Sequence, residues 1–326
     1  MFARYNYKAG STLANVIADI VAILTGTTNV NSLSADCDTA NSLILNTYAN
    51  ASWVVHDSAA GTNKQVLKGA RFDDGTSYEY LMLDFNTSGY VIMLMYETWN
   101  ATTHAGTNVS SAGSWSSTTI HQRLNLTAGG SMIIYANAGK CCFMQSNIPA
   151  GIGASNANEW TGVFQRSRLS PWDTAGAGYP LSVCTTGAKA FTQGNTSAAC
   201  RYKNPAGGDV ITTGAFLQTS MRGWGSNNTS TNGNVGSTTG SCVQTAKIPD
   251  GAGGFYTPLN DIRFDYQANQ FLGGSISDVC DVWLGPRYPF NLDEVVCNGK
   301  TYGLFQNTNL SNNATNATAN LAVPKG

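Results

Sequence analysis

The sequence predicts an α+β fold that is mainly β: an N-terminal helical pair, then an antiparallel β-sheet body with a loop-rich insertion. Near the N terminus, apolar residues recur at intervals of three and four, as on one face of a helix. From Trp53 onwards they alternate with period two in short runs rich in aromatic and β-branched residues, which is typical of strands. These patterns divide the chain into a helical segment (1–50), a β body (51–169), a loop-rich Gly/Ser/Asn/Thr insertion (170–250) and a C-terminal β segment with an extended tail (251–326).

The helical pair is predicted from two amphipathic stretches. The first predicts a helix that Ser11 or Thr12 can cap, that runs to about Thr25 and that stops at Gly26. Its apolar stripe consists of Leu13, Val16, Ile17, Ile20, Val21 and Leu24, with Asn15 and Asp19 on the other side. A second, shorter helix is predicted to be capped within residues 34–36, with Ala40, Leu43 and Ile44 inward. The joint apolar face of such a hairpin would have to meet a sheet or a partner.

The β body is predicted from hairpins. Residues 78–85 and 90–98 flank a turn that contains Gly89, and 131–136 and 140–145 form a second hairpin. Further strands are predicted at 159–168, 262–266 and 276–284, with a closing hairpin of 294–297 and 301–305. Residues 91–96 are apolar on both faces, which predicts an interior strand.

Charge is scarce throughout the chain. Only 11% of residues are charged and the net charge is −1, so no basic field is available for nucleic acid. No stretch has the roughly 18 apolar residues of a membrane span. Since Asn15 and Asp19 interrupt the first apolar stretch, it is not a secretory leader, and we expect a protein made in the cytoplasm.

The polar surface must therefore come from Ser, Thr, Asn and Gly. Residues 225–241 contain only these four types except for Val235, and residues 306–326 carry one charge, Lys325. Such segments bury too little apolar surface to offset chain entropy. We expect neighbouring subunits to order the C-terminal tail, with Leu310 and Leu321 as candidate interaction residues.

Cysteine and histidine spacing predicts neither a metal site nor a cofactor. The chain has 8 cysteines without a C-x-x-C pair, and its 3 histidines do not lie at ligand spacing from them. No phosphate-binding glycine loop occurs either. Buried free thiols are the favoured interpretation. Disulfides Cys184–Cys200 or Cys280–Cys297 remain an alternative in an oxidising environment.

Catalytic residues are not predicted. Asp73 and Asp74 precede Gly75 in what is an ordinary turn, and adjacent carboxylates rarely face each other across a substrate. His104 lies in a polar loop after the interior strand, without a serine motif to activate. His104 and Trp99 are candidates for contact with a sugar or another chain. Trp224, which lies between two glycines, is a candidate interaction residue that we expect to be exposed.

Three short segments carry a resemblance. They are Phe2-Ala3-Arg4-Tyr5 leading into the first helix, Met95-Tyr96-Glu97-Thr98-Trp99-Asn100 with the following His104-Ala105-Gly106, and Asn298-Gly299-Lys300-Thr301-Tyr302. The chain resembles uncharacterised virion structural proteins of tailed bacteriophages.

That resemblance implies a non-enzymatic subunit of the tail (baseplate, tail tip or neck), located in the virion and partnered by other virion proteins or copies of itself. A receptor- or glycan-binding module of a tail fibre or spike remains an alternative, as does a capsid decoration protein. A polysaccharide-degrading spike enzyme is disfavoured, because the sequence lacks a β-helix repeat.

Overall fold

The computed structural model describes the first half of the chain more fully than the second. The described residues are 1–45, 53–71, 75–85, 91–109, 124, 126–137, 139–146, 160–166, 180–186, 196–203, 209–212, 216–218, 248–249, 255–258, 262–265, 272–276, 280–284, 294–297, 300–306 and 318–325.

Within these residues the chain is mainly β, with a single α-helix, α1 (Leu13–Leu24), and a short 3-10 helix (Val30–Ser32). The strands of the first half are β1 (Phe2–Tyr7), β2 (Leu43–Leu45), β3 (Val54–Gly61), β4 (Lys64–Ala70), β5 (Tyr78–Phe85), β6 (Val91–Asn100), β7 (Ala105–Val109), β8 (Gly130–Asn137), β9 (Lys140–Ser146) and β10 (Trp160–Arg166). Those of the second half are β11 (Pro180–Thr186), β12 (Thr196–Lys203), β13 (Asp209–Thr212), β14 (Phe216–Gln218), β15 (Ile248–Pro249), β16 (Phe255–Pro258), β17 (Ile262–Asp265), β18 (Leu272–Ile276), β19 (Cys280–Leu284), β20 (Glu294–Cys297), β21 (Lys300–Gln306) and β22 (Thr318–Pro324).

All described strand pairs are antiparallel. The largest sheet has the order β13-β12-β11-β10-β9-β8-β1-β2, and a five-stranded sheet runs β3-β4-β5-β6-β7. The C-terminal strands form a six-stranded sheet, β15-β16-β19-β22-β21-β20, while β14-β17-β18 form a small fourth one. Most neighbours in these sheets are consecutive in the chain, as expected of hairpin-built β proteins.

One main core joins the eight-stranded sheet, α1 and the five-stranded sheet. Its largest fully buried apolar members include Tyr5, Ile20, Trp53, Phe85, Phe143 and Phe164. Each such side chain stabilises the fold by about 1.5–3 kcal/mol through removal of apolar surface from water. The five-stranded sheet meets the larger sheet where β6 packs on β10 and β11. Cys37 and Cys141 lie buried in this core.

The first predicted helix is confirmed. Thr12, rather than Ser11, is the N-cap residue, and its hydroxyl accepts a hydrogen bond from the backbone N–H of Asn15 at 3.3 Å. The helix ends at Leu24, and Gly26 follows with φ +101°, a conformation that glycine adopts without strain. The buried residues of α1 are Val16, Ile17, Asp19, Ile20, Ile23 and Leu24, so Asp19 is buried although it lies outside the predicted apolar stripe.

The second predicted helix is wrong, because Leu43–Leu45 is strand β2. The sequence pattern missed β1, which pairs with β8 on one side and leaves its other edge open to β2, with Ala3 opposite Ile44. Asp36, which belongs to the residues expected to cap the second helix, has another role. The Asp36 carboxylate accepts hydrogen bonds from the Thr12 N–H and the Asn15 side-chain amide, both at 2.8 Å. It therefore holds the N-terminal end of α1 instead of starting a helix of its own.

Most predicted strands are confirmed. The hairpins β5–β6, β8–β9 and β20–β21 pair as expected, and β6 lies inside its sheet, between β5 and β7. Residues 276–284 are not one strand, since they contribute the end of β18 and the whole of β19. The predicted loop-rich range 170–250 also contains strands β11 to β15, three of which extend the largest sheet.

The C-terminal tail differs from expectation. Strand β22 inserts between β19 and β21, so strands of its own chain supply its backbone partners on both sides. Leu321 lies opposite Asp281 on one neighbour and Phe305 on the other. Residues 320–322 are paired on both edges, so neighbouring subunits are not required to satisfy their backbone hydrogen bonds.

The two disulfides considered from the sequence do not fit the strand pairing. The register of β11 with β12 leaves Cys184 and Cys200 three positions out of alignment, which is about 10 Å along a strand. Two strands separate the strands of Cys280 and Cys297, a distance of roughly 14 Å. Since a disulfide needs Cα atoms within about 7 Å, neither of these two pairings is compatible with the strand order and register.

Candidate functional site

The five-stranded sheet has two apolar faces. The residues Leu67, Leu81 and Met95 lie opposite one another on adjacent strands and belong to the main core. On the other face, Val66, Met82 and Leu94 are opposite one another and belong to a second, smaller cluster that also contains Trp99, Tyr80 and Tyr96. A functional site can therefore lie on this second face without disturbing the main core.

A β-bulge in β3 positions an aspartate on this cluster. Val55 lies opposite Leu67, but Asp57 lies opposite Val66, so β3 has one extra residue, His56, at this point. A bulge of this kind redirects the side chains that follow it. The Asp57 side chain is only 2% exposed, although its neighbours Ser58 and Ala59 are exposed.

The Asp57 carboxylate is held by three hydrogen bonds. Its Oδ2 accepts one from Trp99 Nε1 at 2.9 Å and one from His104 Nδ1 at 2.8 Å. Its Oδ1 accepts the backbone N–H of Ala59 at 3.0 Å. These contacts bring Trp99 and His104, the two loop residues predicted as candidates, onto one buried acid.

Asp57 is the ionised member of this group. Burial by itself would raise the pKa of Asp57, but the hydrogen bonds from His104, Trp99 and Ala59 together outweigh burial and hold that pKa below its ordinary value. A carboxylate only accepts hydrogen bonds, so His104 Nδ1 carries the proton. In the neutral imidazole Nε2 is then the acceptor.

The turn between β6 and β7 fixes His104. The Asn100 side-chain oxygen accepts the backbone N–H groups of Thr102 and Thr103 at 2.8 and 3.1 Å, which closes a local Asx-type turn. His104 itself has φ +51°, a left-handed conformation that costs a non-glycine residue about 1 kcal/mol or more. Its side chain remains 40% exposed. The ring is thus anchored at Nδ1 and open to solvent elsewhere.

Gly106 allows the aromatic rings to close over β7. A Cβ atom at this position would lie 2.7 Å from Trp99 Cε3 and closer still to the Tyr96 ring, so no larger residue fits without displacement. The Tyr96 and Trp99 rings meet edge to face with centroids 5.0 Å apart, a favoured aromatic geometry.

A buried ionic group links the same sheet to its larger neighbour. Arg166 on β10 donates from Nη1 to Glu79 Oε1 at 3.4 Å and from Nη2 to Glu97 Oε1 at 3.3 Å. The Arg166 and Glu79 side chains are almost completely buried, whereas Glu97 is 28% exposed. Removing one of these charged side chains would leave a buried charge uncompensated. The ionic group therefore holds the two sheets in a fixed relative position.

Of the remaining predicted residues, Leu321 is described and lies on β22 in the C-terminal sheet. Trp224, Leu310 and the Asp73-Asp74 pair lie outside the described residues. The Trp99 side chain is mostly buried, so it anchors the site instead of presenting a free surface. The sequence prediction missed Asp57, and the available signal was one carboxylate in an otherwise acid-free strand.

The arrangement provides a histidine oriented by a carboxylate, which is the base half of a catalytic triad. Nucleophilic catalysis also needs a hydroxyl or thiol on the other ring nitrogen, and among the described residues none is hydrogen-bonded to His104 Nε2. The same part of the chain contains no group of three or more His, Cys, Asp or Glu side chains that could hold a metal ion. In the described ranges no helix is long and apolar enough to cross a membrane.

Compared with protein-family models and with curated proteins, the chain gives no match to either.

Proposed function

We propose that this chain is a non-enzymatic structural subunit of a bacteriophage virion, belonging to the tail at the baseplate, tail tip or neck, and that it acts by packing against neighbouring subunits. The proposal draws on the resemblance of three short segments and on the 11% charged content. A surface so poor in charge repels neighbouring protein weakly.

The observation that carries the packing role is the exposed start of β3. Consecutive strand residues point to opposite faces of a sheet. Val54 and Val55 are nevertheless 46% and 45% exposed, so β3 exposes apolar side chains on both faces at this point. They lie at the edge of the five-stranded sheet, where β4 is the only neighbour among the described strands. Natural edge strands are usually guarded by lysine, proline or charge, and residues 54 and 55 provide none. Such an edge suits another subunit.

The test is to locate the chain in purified particles of the phage that encodes it. Quantitative mass spectrometry of separated heads and tails should detect the chain in the tail fraction in a fixed number of copies. Its absence from purified particles would refute the proposal. Recovery with heads alone would favour the capsid decoration alternative.

A substitution tests the packing role separately. Val55→Lys changes an exposed residue and should leave the stability of the isolated chain within about 0.5 kcal/mol, while incorporation into particles falls sharply. Asn31→Lys, at an exposed position outside the five-stranded sheet, is the matched control and should assemble normally. Equal incorporation of both variants would exclude the β3 edge as the contact.

A further inference from the structure

The second face of the five-stranded sheet carries four partly exposed rings in a row. Tyr80 and Tyr96 lie directly opposite each other on β5 and β6. The His56 ring from β3 meets Tyr80 with centroids 4.9 Å apart, and His104 is connected to the group through Asp57, which also holds Trp99 against Tyr96. We call these four residues, His56, Tyr80, Tyr96 and His104, the aromatic strip.

The contacts of the aromatic strip hold its rings in fixed positions. Trp99 lies beneath it, held by Asp57 and packed edge to face on Tyr96. His56 Nε2 is 3.4 Å from the Trp99 carbonyl oxygen. A binding surface whose side chains are fixed before the ligand arrives loses little conformational entropy on binding.

Its polar atoms are tyrosine hydroxyls and imidazole nitrogens, and the nearby lysines are already engaged. Lys64 pairs with Asp84 at 3.0 Å, and the Lys68 ammonium lies 4.7 Å from the centre of the Tyr78 ring. His104 Nδ1 faces Asp57, so Nε2 is the ring nitrogen left for a ligand, and it is an acceptor in the neutral imidazole. The strip therefore combines flat apolar faces with one oriented acceptor.

This chemistry matches a neutral sugar. A pyranose ring has an apolar C–H face that stacks on an aromatic ring, and a rim of hydroxyls that donate and accept hydrogen bonds. Ligand sites of this kind use mostly aromatic area with a few placed polar groups. We propose that the aromatic strip binds a neutral saccharide. Tyr80 and Tyr96 stack on the sugar ring, and His104 Nε2 accepts a hydrogen bond from a sugar hydroxyl.

The experiment measures binding of the isolated full chain, so it is independent of any role in a particle. Isothermal titration calorimetry would use neutral hexasaccharides of glucose, galactose and N-acetylglucosamine, with an oligogalacturonate as the acidic arm. The variants are Tyr80→Leu, which keeps apolar bulk without the ring, and His104→Ala, which removes the acceptor. Thr102→Ala, an exposed residue on the same turn, is the control, and thermal melts followed by circular dichroism verify that each variant folds.

We expect saturable binding of at least one neutral hexasaccharide, unchanged in Thr102→Ala and weakened about tenfold or more in each of the other two variants. Binding that persists in both Tyr80→Leu and His104→Ala would overturn the assignment. So would binding of the acidic oligosaccharide alone, or no binding of any neutral probe at millimolar concentration.

Discussion

Two buried aspartates, Asp19 on α1 and Asp57 on β3, are held in nearly the same way but face different surroundings. Asp19 accepts hydrogen bonds from the Tyr5 hydroxyl at 2.9 Å and from the Ser34 N–H and hydroxyl at 2.7 and 2.8 Å. Asp57 likewise has three donors. The partners of Asp19 tie α1, β1 and the following loop together, whereas one partner of Asp57 is the exposed ring of His104.

Asp19 is therefore a structural carboxylate, whereas Asp57 can orient a side chain at the protein surface. Burial, reinforced by the Asp19 carboxylate, raises the pKa of Tyr5 far above its usual range, so the phenol is a hydrogen-bond donor at neutral pH. Tyr5 and Asp19 are both buried, so neither is offered to a ligand. Around Asp57, the same number of hydrogen bonds orients a ring whose second nitrogen remains accessible, which is the basis of the proposed saccharide site.

The largest expected effect comes from removing the interior carboxylate. Asp19→Ala leaves the Tyr5 hydroxyl and the Ser34 N–H without their acceptor, and we expect a loss of roughly 3 kcal/mol or more in the free energy of unfolding. Urea unfolding followed by circular dichroism measures this. Asp38→Ala is the control, because Asp38 accepts an exposed hydrogen bond from Asn41 and should cost less than about 0.5 kcal/mol. Similar losses in both variants would contradict a structural role specific to Asp19.

The local patterns in the sequence predicted α1 and several hairpins because those elements depend on neighbouring residues. Thr12, the 3,4-spaced stripe and Gly26 define the helix without reference to the rest of the chain. Strand β2 could not be predicted in this way, since three residues become a strand only because the edge of β1 is available. Tertiary pairing overrides local propensity in such short segments.

The candidate site was predictable only in part, for the same reason. Trp99 and His104 were found because they follow an interior strand in a polar loop. Asp57 is 42 residues from Trp99 and 47 from His104 in sequence, and its side chain reaches them through a bulge that leaves no clear composition signal. The buried position of Asp19 was likewise hidden, because it depends on the loop containing Ser34 folding over the polar side of α1.

A smaller effect, and one that depends on pH, is expected from Asp57→Asn. The amide cannot accept from Trp99, His104 and Ala59 as the carboxylate does, and we expect a loss of about 2 kcal/mol near pH 7. The folded-state pKa of Asp57 lies below that of an unfolded aspartate, about 3.9. The stabilisation is therefore complete above that value and is lost as the pH falls through the folded-state pKa. Unfolding free energies measured from pH 7 to pH 2.5 should show the gap between wild type and variant closing only below about pH 4. A gap that stays constant over this range would exclude an ionised Asp57.

The smallest effect is expected from His104→Ala, and it distinguishes the two carboxylates most sharply. The ring is 40% exposed, so water can replace its hydrogen bond to Asp57, while Trp99 and Ala59 still hold the acid. We expect a loss below about 1 kcal/mol. Tyr5→Phe likewise removes one hydrogen-bond donor from Asp19. Because Tyr5 is fully buried, water cannot replace that hydrogen bond, and the free energy of unfolding should fall by about 1–2 kcal/mol. Thermal and urea unfolding of the two variants side by side measure the difference. If His104→Ala destabilised the chain more than Tyr5→Phe, the exposed histidine would be a structural latch for the β6–β7 turn, since an accessible ligand group would not carry that much of the folding energy.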